Sequence, residues 1–179
     1  MAEINPAKLR IITYPDPRLR KPCQPVTQFD ETLAAVARRM IELMRGAKGV
    51  GLAAPQVGLS WQLFVCNVTG QEGDDLICLN PRLTDLAGLV ENEEGCLCLP
   101  DVTVTVRRNV ECVLHAQDLS GKRFQRRGAG LQARCWQHEC DHLNGRLIID
   151  YMSEADKIAN RRVLRQLEAK AKTVSPARK

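Results

Sequence analysis

Aromatic residues are scarce in this sequence: two Trp, two Tyr and three Phe among 179 residues. A surface that stacks single-stranded bases needs several such rings together, so that kind of nucleic-acid binding is argued against and DNA is not an expected partner. No apolar run approaches the roughly 20 residues needed to cross a bilayer, so no membrane partner is expected. The opening Met1-Ala-Glu-Ile-Asn-Pro6 lacks the basic stretch and apolar core of a secretory signal. The expected location is therefore the cytoplasm, where the eight cysteines serve as buried hydrophobes, metal ligands or nucleophiles rather than as a disulfide framework. Cys23, Cys66, Cys78, Cys112 and Cys135 sit among apolar neighbours or beside Pro and read as packing residues. A net charge of +5 permits weak attraction to polyanions without establishing a function.

The composition, 44% hydrophobic and 26% charged, is that of an ordinary globular protein. No internal repeat or composition break divides the chain, which reads as one domain over 1–179. Its core is expected over about residues 8–153, followed by a basic helix over about 154–172 and a polar tail over 173–179. Asp30 is a natural cap for a first helix, whose Leu33, Val36, Ala37, Met40, Ile41 and Met44 recur at spacings of three and four. Leu63 to Val68 and Leu76 to Leu79 read as short strands, the second ended by Asn80-Pro81. Val110 to Gln117 alternates as a half-buried strand, and Asp118-Leu-Ser-Gly121 turns it into Lys122 to Arg127. A second helix is expected from near Gly130 to Asn144-Gly145. A third opens at a capping box of Ser153 and Asp156 and carries Ile158, Val163, Leu164 and Leu167. The expected class is α+β: a strand-rich body of mostly antiparallel sheets around a central helix, with an N-terminal and a C-terminal helix flanking it.

The central helix carries the strongest chemical signal, His138-Glu139-Cys140-Asp141-His142. Residues four apart on a helix share a face, so both imidazoles reach one ion, and Glu139 stands beside them to take a proton from water. Since the chain has only three His, the HExxH frame outweighs a chance polar face. A catalytic site usually has three protein ligands and an open position. Asp150, Glu154 and Asp156 lie downstream in no familiar frame; upstream, a thiolate from Glu94-Gly-Cys-Leu-Cys-Leu-Pro100 would complete a Cys-His-His set. Gly49-Val-Gly-Leu-Ala-Ala-Pro-Gln-Val-Gly58 is a glycine-rich turn without the Gly-Lys-Ser/Thr ending of a nucleotide-binding loop.

Gly49 to Gln56, Glu94 to Pro100 and Gln137 to His142, in that order, resemble the three signature motifs of the peptide deformylases. Tyr14-Pro-Asp-Pro-Arg-Leu-Arg, Leu79-Asn-Pro and Gly130-Leu-Gln-Ala-Arg match too, so the resemblance spans about residues 8 to 153. It implies a hydrolase that removes the formyl group from the N-terminal methionine of new polypeptides. Cys96, His138 and His142 would hold one divalent ion, Fe²⁺ foremost, with Zn²⁺, Ni²⁺ or Co²⁺ as replacements. Glu139 would be general base and acid, with Gln56 and the backbone N–H of Leu97 stabilising the oxyanion. Gly49, Val50 and Gly51 would border the substrate, a formyl-methionyl peptide, and Leu131 and Cys135 would line its pocket.

Cys98 departs from the family, which usually has Ser there; in an extended segment it shares a face with Cys96, as a near-isosteric packing residue or as a second thiol that approaches the ion or oxidises against Cys96. Arg134 lies near the expected methionine pocket with its direction open. Two rivals remain: a metallopeptidase cutting internal bonds, which leaves Gln56 and the CxC unexplained, and a ribosome-associated protein without catalysis. The C-terminal segment places Lys157, Arg161, Arg162, Arg165, Lys170, Lys172, Arg178 and Lys179 against only Glu168. It reads either as a solvated helix or as a weak ribosome contact.

Overall fold

Asp30 caps the first helix, α1 (Glu31–Gly46), by accepting from the Leu33 N–H, and Leu33, Val36, Ala37, Met40 and Met44 form its buried stripe. The computed structural model describes residues 4–174, so the last part of the expected polar tail, with Arg178 and Lys179, lies outside the described residues. Thr173 and Val174 continue the last helix instead of opening that tail.

The strands in chain order are β1 (Gly51–Ala53), β2 (Leu63–Cys66), β3 (Leu76–Ala87), β4 (Val90–Cys96), β5 (Leu99–Arg108), β6 (Glu111–Gln117) and β7 (Arg123–Ala129). Five form an antiparallel sheet in the order β1-β2-β3-β6-β7, and β4 and β5 pair as a separate hairpin. At β2 both faces of the large sheet are covered, which is why this strand is apolar throughout rather than alternating. Leu63 and Val65 pack with the α1 stripe, while Phe64 and Cys66 pack with Trp136 of the second helix, α2 (Leu131–Leu143). Each fully buried side chain of this size contributes roughly 1.5–3 kcal/mol.

Asn80-Pro81 does not end β3. The strand runs on to Ala87, and the pairing with β6 shifts register between Leu79 and Arg82. Proline cannot donate to a ladder, so the irregularity absorbs it. Asn80, at φ 50°, turns its side chain to the Val26 backbone and to Gln117.

The β4–β5 hairpin has a clear period-two signal: Val102, Val104 and Val106 are buried while Thr103, Thr105 and Arg107 are exposed. Its apolar face meets Val163, Leu164 and Leu167 of the third helix, α3 (Glu154–Val174). The expected capping box is present, with Asp156 accepting from the Ser153 N–H and Ser153 Oγ accepting from the Asp156 N–H. Asn160 clips α3 to β5 through both the N–H and the carbonyl of Thr103. Ile158 does not join this packing; it is 68% exposed, on the outer side of the helix.

Among the described residues, antiparallel sheets and three α-helices make this an α+β fold. Helix α2 connects the two sheets. Ala133 and Trp136 enter the core against the large sheet, whereas Arg134 and Asp141 bond to residues of the hairpin. It ends at Asn144, followed by Gly145 at φ 73°, where a Cβ would collide with the Arg20 backbone. Among the described residues, no helix is long and apolar enough to cross a membrane.

Candidate metal centre and active site

Helical spacing puts Cys135, Glu139 and His142 in one row of α2, with His138 beside them. The third donor comes from the hairpin. Cys96 closes β4 and pairs with Leu99 across a turn made by Leu97 and Cys98. This segment is a tight reversal, not the extended run that would put Cys96 and Cys98 on one face by alternation.

Cys96 Sγ lies 3.2 Å from His142 Nε2, which lies 3.2 Å from His138 Nε2. The three donor atoms all fall within 4.8 Å of one another, and no other such group of three or more occurs among the described residues. Ligands of a tetrahedral ion at ordinary Zn–N and Zn–S lengths sit about 3.3–3.6 Å apart, so the spacing fits a small divalent ion. His138 Nδ1 lies 3.0 Å from a Glu94 carboxylate oxygen, which directs the Nδ1 proton there and leaves the Nε2 lone pair facing the cluster.

The electrostatics ask for a cation. Burial opposes charge on His138, but Cys96, Glu94 and Glu139 around it prevail and raise its pKa well above the usual value. The Cys98 thiol and burial together push Cys96 up to about 11, so without a positive neighbour it remains a thiol. Burial pushes Glu139 up to about 8, and its Oε2 has no hydrogen-bond partner. A divalent ion held by the cluster would reverse all three tendencies at once.

Gln56 is 1% exposed, in the short turn after β1. Its Oε1 accepts from the Ala53 N–H at 2.7 Å, which leaves Nε2 pointed at Cys96 Sγ, 3.4 Å away. Gly51 is glycine for a steric reason: a Cβ there would overlap the Glu139 carboxylate. These groups open on a groove of about 480 Å³, whose walls include Gly49, Val50, Gly51, Leu97, Leu131 and Cys135. Every site residue expected from the sequence lies at this groove except His142, which stands behind it, 1% exposed. A larger hollow of about 580 Å³ around Arg82, His115 and Arg123 contains no converging donor set.

Arg134 stands in the groove wall. Its guanidinium is turned into the protein, bonded to Glu94 and to the carbonyls of Val90 and Val106. No motif in the sequence announces that network. Glu94, 7% exposed, takes two hydrogen bonds from Arg108 and one from Arg134 in addition to His138. Burial works against its charge, yet His138 and Arg108 prevail and hold its pKa at about 2. Arg108 also pairs with Asp141, which accepts from the Tyr151 hydroxyl. The available signal was an acid two residues before Cys96 and an arginine ending an alternating strand.

An α+β body with a Cys-His-His donor group and a buried glutamate beside it defines a metal-dependent hydrolase. The profile of the polypeptide deformylase family matches residues 8–158. Peptide deformylase of Acidobacterium capsulatum is 41% identical over 160 residues, covering 88% of this chain and 94% of its own. That of Thermotoga maritima is 42% identical over 156 residues, covering 87% and 93%. The crystal structure of a Legionella pneumophila peptide deformylase superposes with a TM-score of 0.85 at 40% identity, over 94% of this chain and 99% of that one. A plant peptide deformylase structure superposes with a TM-score of 0.91 at 35% identity over the whole of both chains. The chain belongs to the polypeptide deformylase family.

Proposed function

We propose that this protein hydrolyses the N-terminal formyl group from formyl-methionyl peptides, with Cys96, His138 and His142 holding the ion and Glu139 moving the protons. The observation that carries the reading is the convergence of Cys96, His138, Glu139 and Gln56 on one groove, with His142 completing the donor group directly behind it. A thiolate and two imidazoles suit Fe²⁺, and equally Zn²⁺, Ni²⁺ or Co²⁺; Fe²⁺ is the proposed resident. When bound, the ion supplies Lewis acidity, polarising the formyl carbonyl and acidifying a water molecule.

The chain's own groups do the rest. Glu139, ionised beside a cation yet basic because it is buried, accepts the water proton and returns it to the leaving amine. Gln56 Nε2 and the Leu97 N–H donate to the negative charge that develops on the carbonyl oxygen, contacts worth roughly 3 kcal/mol each in hydrolases. Gly49, Val50 and Gly51 border the peptide backbone, while Leu131, Cys135 and Arg134 wall the methionine pocket.

The metal-loaded protein is expected to release formate from a short formyl-Met peptide and to leave casein uncut. Casein cleavage without formate release would move the chain to the metallopeptidases. A cytoplasmic site of action, on nascent chains, accompanies this reading.

The same reading extends to α3, whose Arg161, Arg162 and Arg165 are exposed on the side away from the core. A weak contact with ribosomal RNA through this face would weaken steeply with salt. Because Asn160 and Leu167 tie α3 to the hairpin, charge reversal is a cleaner probe than truncation. Replacing the three arginines by Glu is expected to abolish low-salt co-sedimentation with ribosomes and spare short-peptide turnover. Unchanged co-sedimentation would leave the helix as ordinary surface.

A further inference from the structure

We propose that Cys96 and Cys98 form a peroxide-responsive thiol pair, closing a reversible disulfide that releases the metal. The inference rests on the assignment of Cys96 as a ligand. The chain doubles back at Leu97 and Cys98, and the two sulfurs come to 3.2 Å. A disulfide bond is about 2.05 Å long, so the sulfurs need approach by only about 1 Å. Cys98 is fully buried, and its carbonyl is fixed by the Tyr14 N–H at 2.8 Å. Cys96 faces the groove, where a small oxidant enters. One thiol is thus open to attack and the other is shielded and held beside it. Cys135 also lines the groove, but its thiol is directed to the Val50 carbonyl at 3.5 Å.

The chemistry needs hydrogen peroxide as oxidant and nothing else. The Cys96 thiolate attacks peroxide; an S–O bond forms, the O–O bond breaks, and the departing hydroxide leaves as water after taking a proton. The Cys98 sulfur then attacks the Cys96 sulfenic acid; an S–S bond forms, the S–O bond breaks, and the Cys98 proton leaves with the hydroxide as a second water. Two thiols are oxidised and one peroxide is reduced. Neither disulfide sulfur is a thiolate, so the ion loses one of its three ligands. With Ser in place of Cys98 no resolving step exists, and Cys96 proceeds to the irreversible sulfinic and sulfonic acids. On this account Cys98 makes oxidation of the site recoverable.

The test uses full-length protein loaded with Zn²⁺, so that oxidation of the ion plays no part, and compares wild type with Cys98→Ser, whose turnover before oxidation is expected to be unchanged. After brief peroxide treatment and alkylation, wild type is expected to yield a Cys96–Cys98 peptide lighter by two hydrogens and to release its zinc. Reductant should restore nearly all zinc-binding capacity. The Cys98→Ser protein should instead carry sulfinate or sulfonate at Cys96 and recover little. Oxidised Cys96 beside an alkylated Cys98, or equal recovery of the two proteins, would overturn the proposal. A Cys96–Cys98 disulfide formed with zinc retained would overturn the release step and, separately, the ligand role of Cys96.

Discussion

Glu139→Ala is expected to retain its metal and lose its turnover, whereas Ala at Cys96, His138 or His142 is expected to lose both. A general base contributes roughly 10²–10⁴-fold to rate, so formate release by the Glu139 variant should fall by about that factor at saturating peptide. Its carboxylate touches no ligand atom in the hydrogen-bond network, and removing it leaves the three donors in place. Removing a donor leaves two, too few to hold an ion against exchange with solvent. Metal content after gel filtration and single-turnover formate release separate the two classes. A metal-free Glu139→Ala protein would turn the glutamate into a ligand, and a fully loaded Cys96→Ala protein would remove the thiolate from the set.

Glu94→Ala should be the most destabilising single substitution near the site. It leaves two buried guanidinium groups, Arg108 and Arg134, without the carboxylate they share. Breaking a buried pair by removing one partner costs about 3–5 kcal/mol, because the remaining charge stays desolvated. For a chain of this length that corresponds to a fall in Tm of roughly 10 °C. His138 would also lose the acceptor for its Nδ1 proton, a loss that typically weakens metal affinity about 10–100-fold. Thermal unfolding of the metal-free protein reads the first effect, and a chelator competition reads the second. Glu94→Gln, which keeps the shape and one acceptor oxygen, should fall between. An unchanged melting temperature would mean that Arg108 relies on Asp141 alone and that Arg134 reaches solvent.

The sequence made the local frames legible where chemistry repeats at short range. His138 and His142 share a face because a helix has a fixed period, and Asp30, Ser153 and Gly145 mark helix ends by hydrogen-bonding capacity and conformation. The resemblance supplied the joining of Cys96 to the histidines, which no spacing encodes: the thiol reaches them through a hairpin turn 46 residues before His142. The network around Glu94 was invisible for the same reason. Its members come from β4, β5 and α2, and only tertiary packing reveals that they share a dry space. Pro81 signals a strand end when taken by itself, yet β3 continues because a bulge and the Asn80 side chain accommodate it. The β4–β5 hairpin carries a plain Val-Thr alternation in β5, but β4, Val90–Cys96, is mostly polar and exposed and gives no matching strand signal.

The placement of Cys96 at the tip of a hairpin, opposite histidines on a separate helix, has a thermodynamic side. In the proposed ligand set the ion is a cross-link that only the folded chain can offer. Its binding free energy then becomes folding free energy by mass action, adding about 2.7 kcal/mol when free metal stands at 100 times the dissociation constant. The melting temperature of this protein would accordingly follow metal supply, and a chain starved of metal would lose mechanical hold between β4 and α2 as well as its catalyst.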